Sequence, residues 1–375
     1  MAKKKNRQKI RTEFKKRHQG RVRTSDLTRQ YQQVDEDVDL PSHERVSGKG
    51  ELTRRRTIVG NVDDDADGLG VEMDLADKGL LRGRVLRVHG LNCVVRTEEG
   101  QEYRCAVRQL LKSLSTDQRH VVAAGDIVTF RPEGEDQGII LSIGQRHGVL
   151  SRTSRGKRHI LVSNVDFVFI VASAADPDLK PHLIDRFLVT AEQASLEPVI
   201  LINKVDLVEP AALMPLVGVY AQLGYQVVMT SAEQGIGIGQ LKQLVADRQS
   251  VFTGQSGVGK SSLLNAIQDG LGLRVQPISS DNRKGKHTTT TAELIPLEAG
   301  GYLMDTPGIR QLELWDVAKE EMAGLFRDIR PYVSHCRFPD CTHTHEVDCA
   351  VLEAVADNRI DPRRYNSFAH MFENS

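Results

Sequence analysis

Eight residues constrain this chain more than any other feature. Gly254-Gln255-Ser256-Gly257-Val258-Gly259-Lys260-Ser261 matches G-x-x-x-x-G-K-[ST], and Ser262 follows. Such a loop works only between a buried strand and a helix. Its glycines let backbone N–H groups wrap a phosphate, and the helix N-terminus adds its dipole. The flanks agree: Val251 and Phe252 end an apolar strand, and a helical pattern runs over 260–268. Average composition yields a chance match in about one per hundred chains of this length. Lys260 is placed to neutralise β- and γ-phosphate oxygens, and Ser261 to offer its hydroxyl to Mg²⁺.

Two further motifs narrow the nucleotide. Asn203-Lys204-Val205-Asp206 follows an apolar strand at 198–202. A carboxylate at Asp206 accepts from the N1–H and exocyclic amine of guanine together, a pair that adenine lacks, and a buried polar match of this kind discriminates strongly. Ser231-Ala232, after a strand at 226–229, fits the short loop that backs the base. Asp305-Thr306-Pro307-Gly308 ends the strand at 302–304, where the Asp holds Mg²⁺ through water and the Gly308 N–H senses the γ-phosphate. His287 and Thr288 to Thr291 lie in a polar loop behind the Gly/Lys-rich stretch 281–286. One of these threonines completes the Mg²⁺ shell, ordering the loop with the γ-phosphate.

The order of the motifs is unusual. The guanine motif at 203 precedes the phosphate loop at 254, and D-x-x-G comes last. The domain is therefore expected to be circularly permuted, a cut that closely spaced surface termini tolerate. The γ-phosphate-sensing segment then runs straight into whatever follows it. Ile309 stands where many GTPases keep a glutamine that orients the attacking water. Ile309 can do neither acid–base nor hydrogen-bond work, so intrinsic hydrolysis should be slow, with His287 the nearest polar candidate.

The remainder divides by pattern. Residues 1–79 lack sustained apolar periodicity and read as a disordered arm. Residues 1–23 carry eleven Lys/Arg against Glu13 alone, which suits a clamp on nucleic-acid phosphates, whereas 35–39 and 63–77 are acidic. Residues 80–150 show short strands at 84–89, 92–97, 101–107, 126–131 and 138–143, the mark of a small barrel such as an OB-fold. Residues 151–318 alternate apolar strands with helices at 181–195, 211–223 and 240–246, an α/β parallel sheet. Residues 319–375 hold three of the five cysteines, in Cys336-x4-Cys341-x-His343-x5-Cys349, with helices at 350–356 and 362–372. Three thiolates and an imidazole make a closed, structural Zn²⁺ set. His335 and His345 are spare. No run reaches the roughly eighteen apolar residues of a membrane span, and no signal segment is apparent. A cytoplasmic monomer is the expectation.

Taken together, these motifs resemble the ribosome small-subunit-dependent GTPase A family, RsgA or YjeQ, from about residue 80 onward. The resemblance implies an OB barrel, a permuted GTPase domain and a zinc-binding α domain. It implies GTP hydrolysis in late maturation of the small ribosomal subunit, stimulated by that subunit, with barrel and zinc domain on rRNA. It also puts the family's catalytic histidine on His287, its hydrophobic residue after D-x-x-G on Ile309, and Mg²⁺ coordination on Thr289. A nucleotide-gated RNA-binding module with negligible turnover is the competing class. A P-loop ATPase is disfavoured by Asn203 to Asp206, and a metalloenzyme by the closed ligand set.

Overall fold

The computed structural model describes residues 8–11, 57–60, 79–90, 92–107, 121–154, 157–271, 292–305 and 317–374. Residues 1–62 form one unit and 63–375 another. In the first, β1 (Gln8–Arg11) pairs antiparallel with β2 (Thr57–Gly60), Ile10 opposite Ile58. The short β-branched run Thr57-Ile58-Val59 has strand propensity but is too brief to show periodicity.

In the second unit, β3 (Leu81–His89), β4 (Asn92–Thr97), β5 (Glu102–Val107), β6 (Ile127–Pro132) and β7 (Gln137–Ile143) close into a five-stranded barrel. Closure falls to β3, which pairs with both β4 and β6. A bulge between Val85 and Arg87 supplies the bend. Strand alternation turns Val85, Val95, Tyr103, Phe130 and Ile140 inward, with Cys93 opposite Cys105. Burial pushes the Cys105 thiol up to about 12, so it packs as a small apolar group. A hairpin, β8 (Leu150–Ser154) with β9 (Lys157–Val162), follows the barrel. Its Arg, Ser and His content hides the strand pattern in the sequence.

The main sheet adds β10 (Phe167–Ser173), β11 (Glu197–Asn203), β12 (Gln226–Met229), β13 (Gln249–Thr253), β14 (Glu293–Pro296) and β15 (Tyr302–Asp305). Their spatial order is β12-β11-β10-β13-β15-β14, parallel except for β14. Alternate residues serve opposite faces. Val168, Ile170, Ile200 and Ile202 pack with Leu188, Leu216 and Tyr220 from α1 (Pro181–Gln193) and α2 (Met214–Gln222). Phe169, Val171, Val199 and Leu201 pack with Leu241 and Leu263 from α3 (Ile238–Val245) and α4 (Lys260–Ile267). Pro210 opens a 3₁₀ turn, Pro210–Leu213, ahead of α2, so the helix expected over 211–223 begins only at Met214. Polar bonds weld barrel to sheet: Arg84 Nη1 donates to Gln249 Oε1 at 2.5 Å, and Gln249 Nε2 to the Ser163 carbonyl at 2.7 Å.

The C-terminal part holds α5 (Lys319–Met322), α6 (Arg330–Val333), α7 (Ala350–Ala356) and α8 (Pro362–Glu373) around Phe326, Ile329 and Phe368. Asp361 caps α8 by accepting from the Arg363 N–H at 2.8 Å. Arg364 of α8, 2% exposed, forks onto Asp328 with two bonds of 3.0 Å and reaches Asp185 of α1 at 2.5 Å. Tyr220 of α2 also donates to Asp185 Oδ1, at 2.8 Å. Burial alone would lower the Arg364 pKa, but the Asp185 and Asp328 carboxylates hold it above its ordinary value. Arg364→Met should therefore destabilise the chain by about 3–5 kcal/mol in urea unfolding, because two buried carboxylates lose their cation. A loss below about 1 kcal/mol, as for an exposed pair, would refute this role of Arg364.

Candidate nucleotide site and metal centre

The sheet brings three loops from distant parts of the sequence to one edge. The carboxyl end of β11 carries Asn203, that of β12 leads to Ser231, and that of β13 leads to the phosphate loop. In a parallel sheet these ends lie together, which is where ligands bind in α/β folds. Asn203 joins all three loops. It is 1% exposed, its Nδ2 donates to the Val258 carbonyl at 2.9 Å, and its Oδ1 accepts from Thr230 Oγ1 at 3.2 Å. Val205 N–H donates to the Thr230 carbonyl at 3.2 Å, and Ser231 N–H to the Ile236 carbonyl at 3.0 Å. Ser231 Oγ, buried, accepts from the Gln234 N–H, and Ala232 packs beside it, half-buried.

The phosphate loop has backbone geometry that side chains would obstruct. Gly254, Gly257 and Gly259 adopt φ of 142°, 85° and 94°. A Cβ on Gly254 would lie 2.1 Å from the Val171 carbonyl oxygen, and one on Gly259 2.3 Å from Asn203 Nδ2. The cradle is thus backbone, with α4 starting at Lys260 to present its N–H groups. Lys260 Nζ lies over the loop, donating to the Gly254 and Gln255 carbonyls, both at 2.7 Å. Gln255, Ser261 and Ser262 are half-buried, and Ser256 is exposed at the tip. Lys204 adopts φ 62° and its Nζ donates to the Asp176 carbonyl. Asp206 is half-buried in the 3₁₀ turn Val205–Leu207.

Asp305 closes β15 beside β13. His287, Thr289 and the other switch threonines, loop 281–286, Gly308 and Ile309 lie outside the described residues. Thr230 and the Asp176 carbonyl escape motif reading, since neither belongs to a guanine or phosphate signature. A Thr at the end of β12 next to Ser231 is the one trace of Thr230's role.

The second cluster lies in the C-terminal part. The ligand atoms of Cys336, Cys341, His343 and Cys349 all fall within 4.8 Å of one another. Cys336 Sγ to Cys349 Sγ is 3.8 Å, and His343 Nδ1 stands 3.4 and 3.6 Å from those sulfurs. A tetrahedron with zinc–ligand bonds of the usual length has edges of about 3.8 Å between sulfurs and about 3.5 Å between sulfur and nitrogen. The four residues therefore fit a closed tetrahedral ion, and the sulfurs are too far apart for a disulfide. Burial lowers the His343 pKa and favours the neutral imidazole that ligates. Tyr365 of α8 donates to the His343 carbonyl at 3.0 Å. Glu346 gathers the Thr342 hydroxyl and the N–H groups of Thr342 and Thr344, fixing the knuckle. His335 and His345 are exposed and bond neighbouring oxygens.

A permuted P-loop sheet, an N-K-x-D motif tied to its phosphate loop and a Cys₃His knuckle define the class: a circularly permuted GTPase whose C-terminal part carries a Cys/His cluster that could hold a metal ion. Known proteins agree. A family model described as RsgA GTPase matches residues 143–315. The small ribosomal subunit biogenesis GTPase RsgA of Chlorobaculum parvum is 36% identical over 305 residues, 78% of this chain and 97% of that protein. Its counterpart in Pseudomonas aeruginosa is 39% identical over 293 residues, 77% of this chain and 84% of that protein. Among solved structures, YjeQ from Thermotoga maritima superposes with a TM-score of 0.67 at 35% identity, covering 79% of this chain and 98% of that one. YloQ, a circularly permuted GTPase, gives 0.62 at 28% identity, covering 81% and 97%. The chain belongs to the RsgA GTPase family.

Because a methyl group at Gly259 would meet Asn203 Nδ2, Gly259→Ala should strain the left-handed residue and break the Asn203–Val258 bond. The expected cost is about 2–4 kcal/mol of stability, with loss of guanine-nucleotide binding in a fluorescent-nucleotide titration. Normal nucleotide affinity in the variant would show that the two loops are not coupled through Asn203.

Proposed function

We propose that this chain hydrolyses GTP during late maturation of the small ribosomal subunit, that the subunit stimulates turnover, and that barrel and zinc domain contact its rRNA. The observation that carries the reading is the Asn203 amide, which ties the guanine motif to the phosphate loop at Val258. The relatives' name, small ribosomal subunit biogenesis GTPase, supports the partner. The protein acts as a cytoplasmic monomer. Among the described residues no helix is long and apolar enough to cross a membrane.

Each residue then has a task. Asp206 pairs with the N1–H and amine of guanine, while Ser231 and Ala232 back the ring. The N–H groups of the loop from Gly254 to Ser262 bind the β-phosphate, and Lys260 exchanges the Gly254 and Gln255 carbonyls for phosphate oxygens. Mg²⁺, when bound, neutralises charge on the phosphates. Ser261, Thr289 and Asp305 would hold it. Gly308 N–H reports the γ-phosphate. His287 positions the attacking water, a role Ile309 cannot take. Zinc, when bound to Cys336, Cys341, His343 and Cys349, supplies structural cross-linking to the C-terminal domain.

GTP turnover should rise about ten-fold or more with purified small subunits and not with large ones, a modest floor beside the roughly 10³–10⁵ that a transition-state group supplied by a partner adds in other GTPases. His287→Ala should abolish the rise while nucleotide affinity persists, and Asp206→Asn should shift preference from guanine toward xanthine nucleotides. No rise with either subunit, at saturating GTP binding, would sink the proposal. Elemental analysis should find one zinc per chain, absent from Cys341→Ser, whose C-terminal domain should lose its proteolytic protection. Full protection in the metal-free variant would make zinc dispensable for the fold.

A further inference from the structure

The barrel's outer face carries a cavity that the nucleotide site does not use. It has a volume of about 370 Å³ and is lined by Arg87, His89, Asn92, Val94, Arg104 and Glu293, among others. Three strands build it in register. Arg87 of β3 stands opposite Val94 of β4, and Val94 opposite Arg104 of β5, while His89 faces Asn92. Two guanidinium groups thus flank an apolar floor, with an imidazole and an amide at one end. Planar guanidinium donors match phosphate oxygens, and an amide or imidazole meets a base edge or face. The second and third strands of an OB-type barrel are also where oligonucleotides lie.

Glu293 is the acidic member of the lining, and its position is unusual. Its carboxylate accepts from Arg87 Nη1 at 2.5 Å. Its backbone is paired on one side with Arg87 of β3 and on the other with Asp305 of β15, the first residue of D-x-x-G. β14 meets β3 at this one register position. The barrel therefore touches the strand pair that carries Asp305 through the residue that shares its cavity. The two side chains are 37% and 46% exposed, so the ion pair adds little to stability and a competing anion can displace one partner without unfolding.

We propose that the cavity takes one phosphodiester-linked nucleotide of single-stranded RNA, whose phosphate draws Arg87 away from Glu293. RNA on the barrel is thereby felt at β14 and β15, the strands beside the phosphate loop. This rests on the RNA-associated GTPase reading above and adds to it a defined site and a transmitting contact.

The test uses the full-length chain and a fluorescein-labelled single-stranded RNA of about twelve nucleotides, a length such barrels track. Glu293→Gln, which leaves Arg87 to the RNA, should tighten binding about three-fold or more in anisotropy titrations. Arg104→Ala should weaken it about five-fold and lower the salt slope by about one. In GTP turnover without subunits, the RNA should change the wild-type rate by about two-fold or more. Glu293→Gln should show that change already and no longer respond to RNA. Equal RNA affinity in wild type and Glu293→Gln would overturn the competition, and unchanged affinity in Arg104→Ala would overturn the site. Turnover indifferent to RNA in the wild type would overturn the transmission. All three are read without ribosomes, so a failure of subunit stimulation would remove the previous section's reading and leave these results standing.

Discussion

A single buried amide holds the nucleotide site together. Asn203 ends β11, donates to a carbonyl of the phosphate loop and accepts from the strand that leads to Ser231. Its neighbours are shaped around it. Gly259 lacks a side chain where a Cβ would collide with Asn203 Nδ2. Leaving either end of a buried amide unpaired costs about 1–3 kcal/mol, so base and phosphate loops are pressed toward one arrangement. The first residue of the N-K-x-D motif thus fixes the spacing between that turn and the phosphate loop.

That arrangement explains why the order of the motifs can be rearranged without harm. β10 pairs with β11 on one side and β13 on the other, and β13 pairs with β15. Each motif sits at a strand's carboxyl end, and the sheet's neighbours are set by apolar alternation and hydrogen bonding rather than by chain order. What the permutation changes is attachment. Asp305 ends a strand paired through β14 to the barrel, and Arg364 of the C-terminal part clamps α8 to α1.

Much of this was legible in the sequence, for identifiable reasons. The apolar runs of β10 and β11 are buried on both faces and stand out as continuous hydrophobic stretches, whereas β13 shows only Val251 and Phe252 between polar residues. The barrel strands alternate cleanly, and the knuckle's cysteine spacing betrays four ligand atoms that the structure gathers within 4.8 Å. The hairpin of β8 and β9 was not legible, because Arg152, Thr153, Arg158 and His159 give no apolar alternation. β14 was missed as well. It is four residues long, ends in Pro296, and its meaning lies in register with Arg87 and Asp305, which no local pattern encodes. The same holds for Asp185. A lone acid on an otherwise apolar helix face reads as solvent-facing until its partner, 179 positions later, is placed against it.

The C-terminal domain shows why two such different devices are needed. Residues 317–374 are too few to bury a large core, and domains of that size lean on metals or on contacts with a neighbour. The Cys₃His cluster braces one end of α8 through Tyr365, which bonds the His343 carbonyl. Arg364, the preceding residue, braces the helix against the GTPase core. One turn of helix therefore faces both ways. The Arg364 pair costs desolvation that a hydrophobic contact would avoid, and pairs of this kind are weak contributors to net stability. Their advantage is geometric: a guanidinium forked onto Asp328 and extended to Asp185 accepts one rotation of α8 and no other. Apolar packing of Val189 on Phe326 and Phe368 alone would tolerate sliding. The buried cation thereby fixes the docking of α8 on α1 as well as its contact.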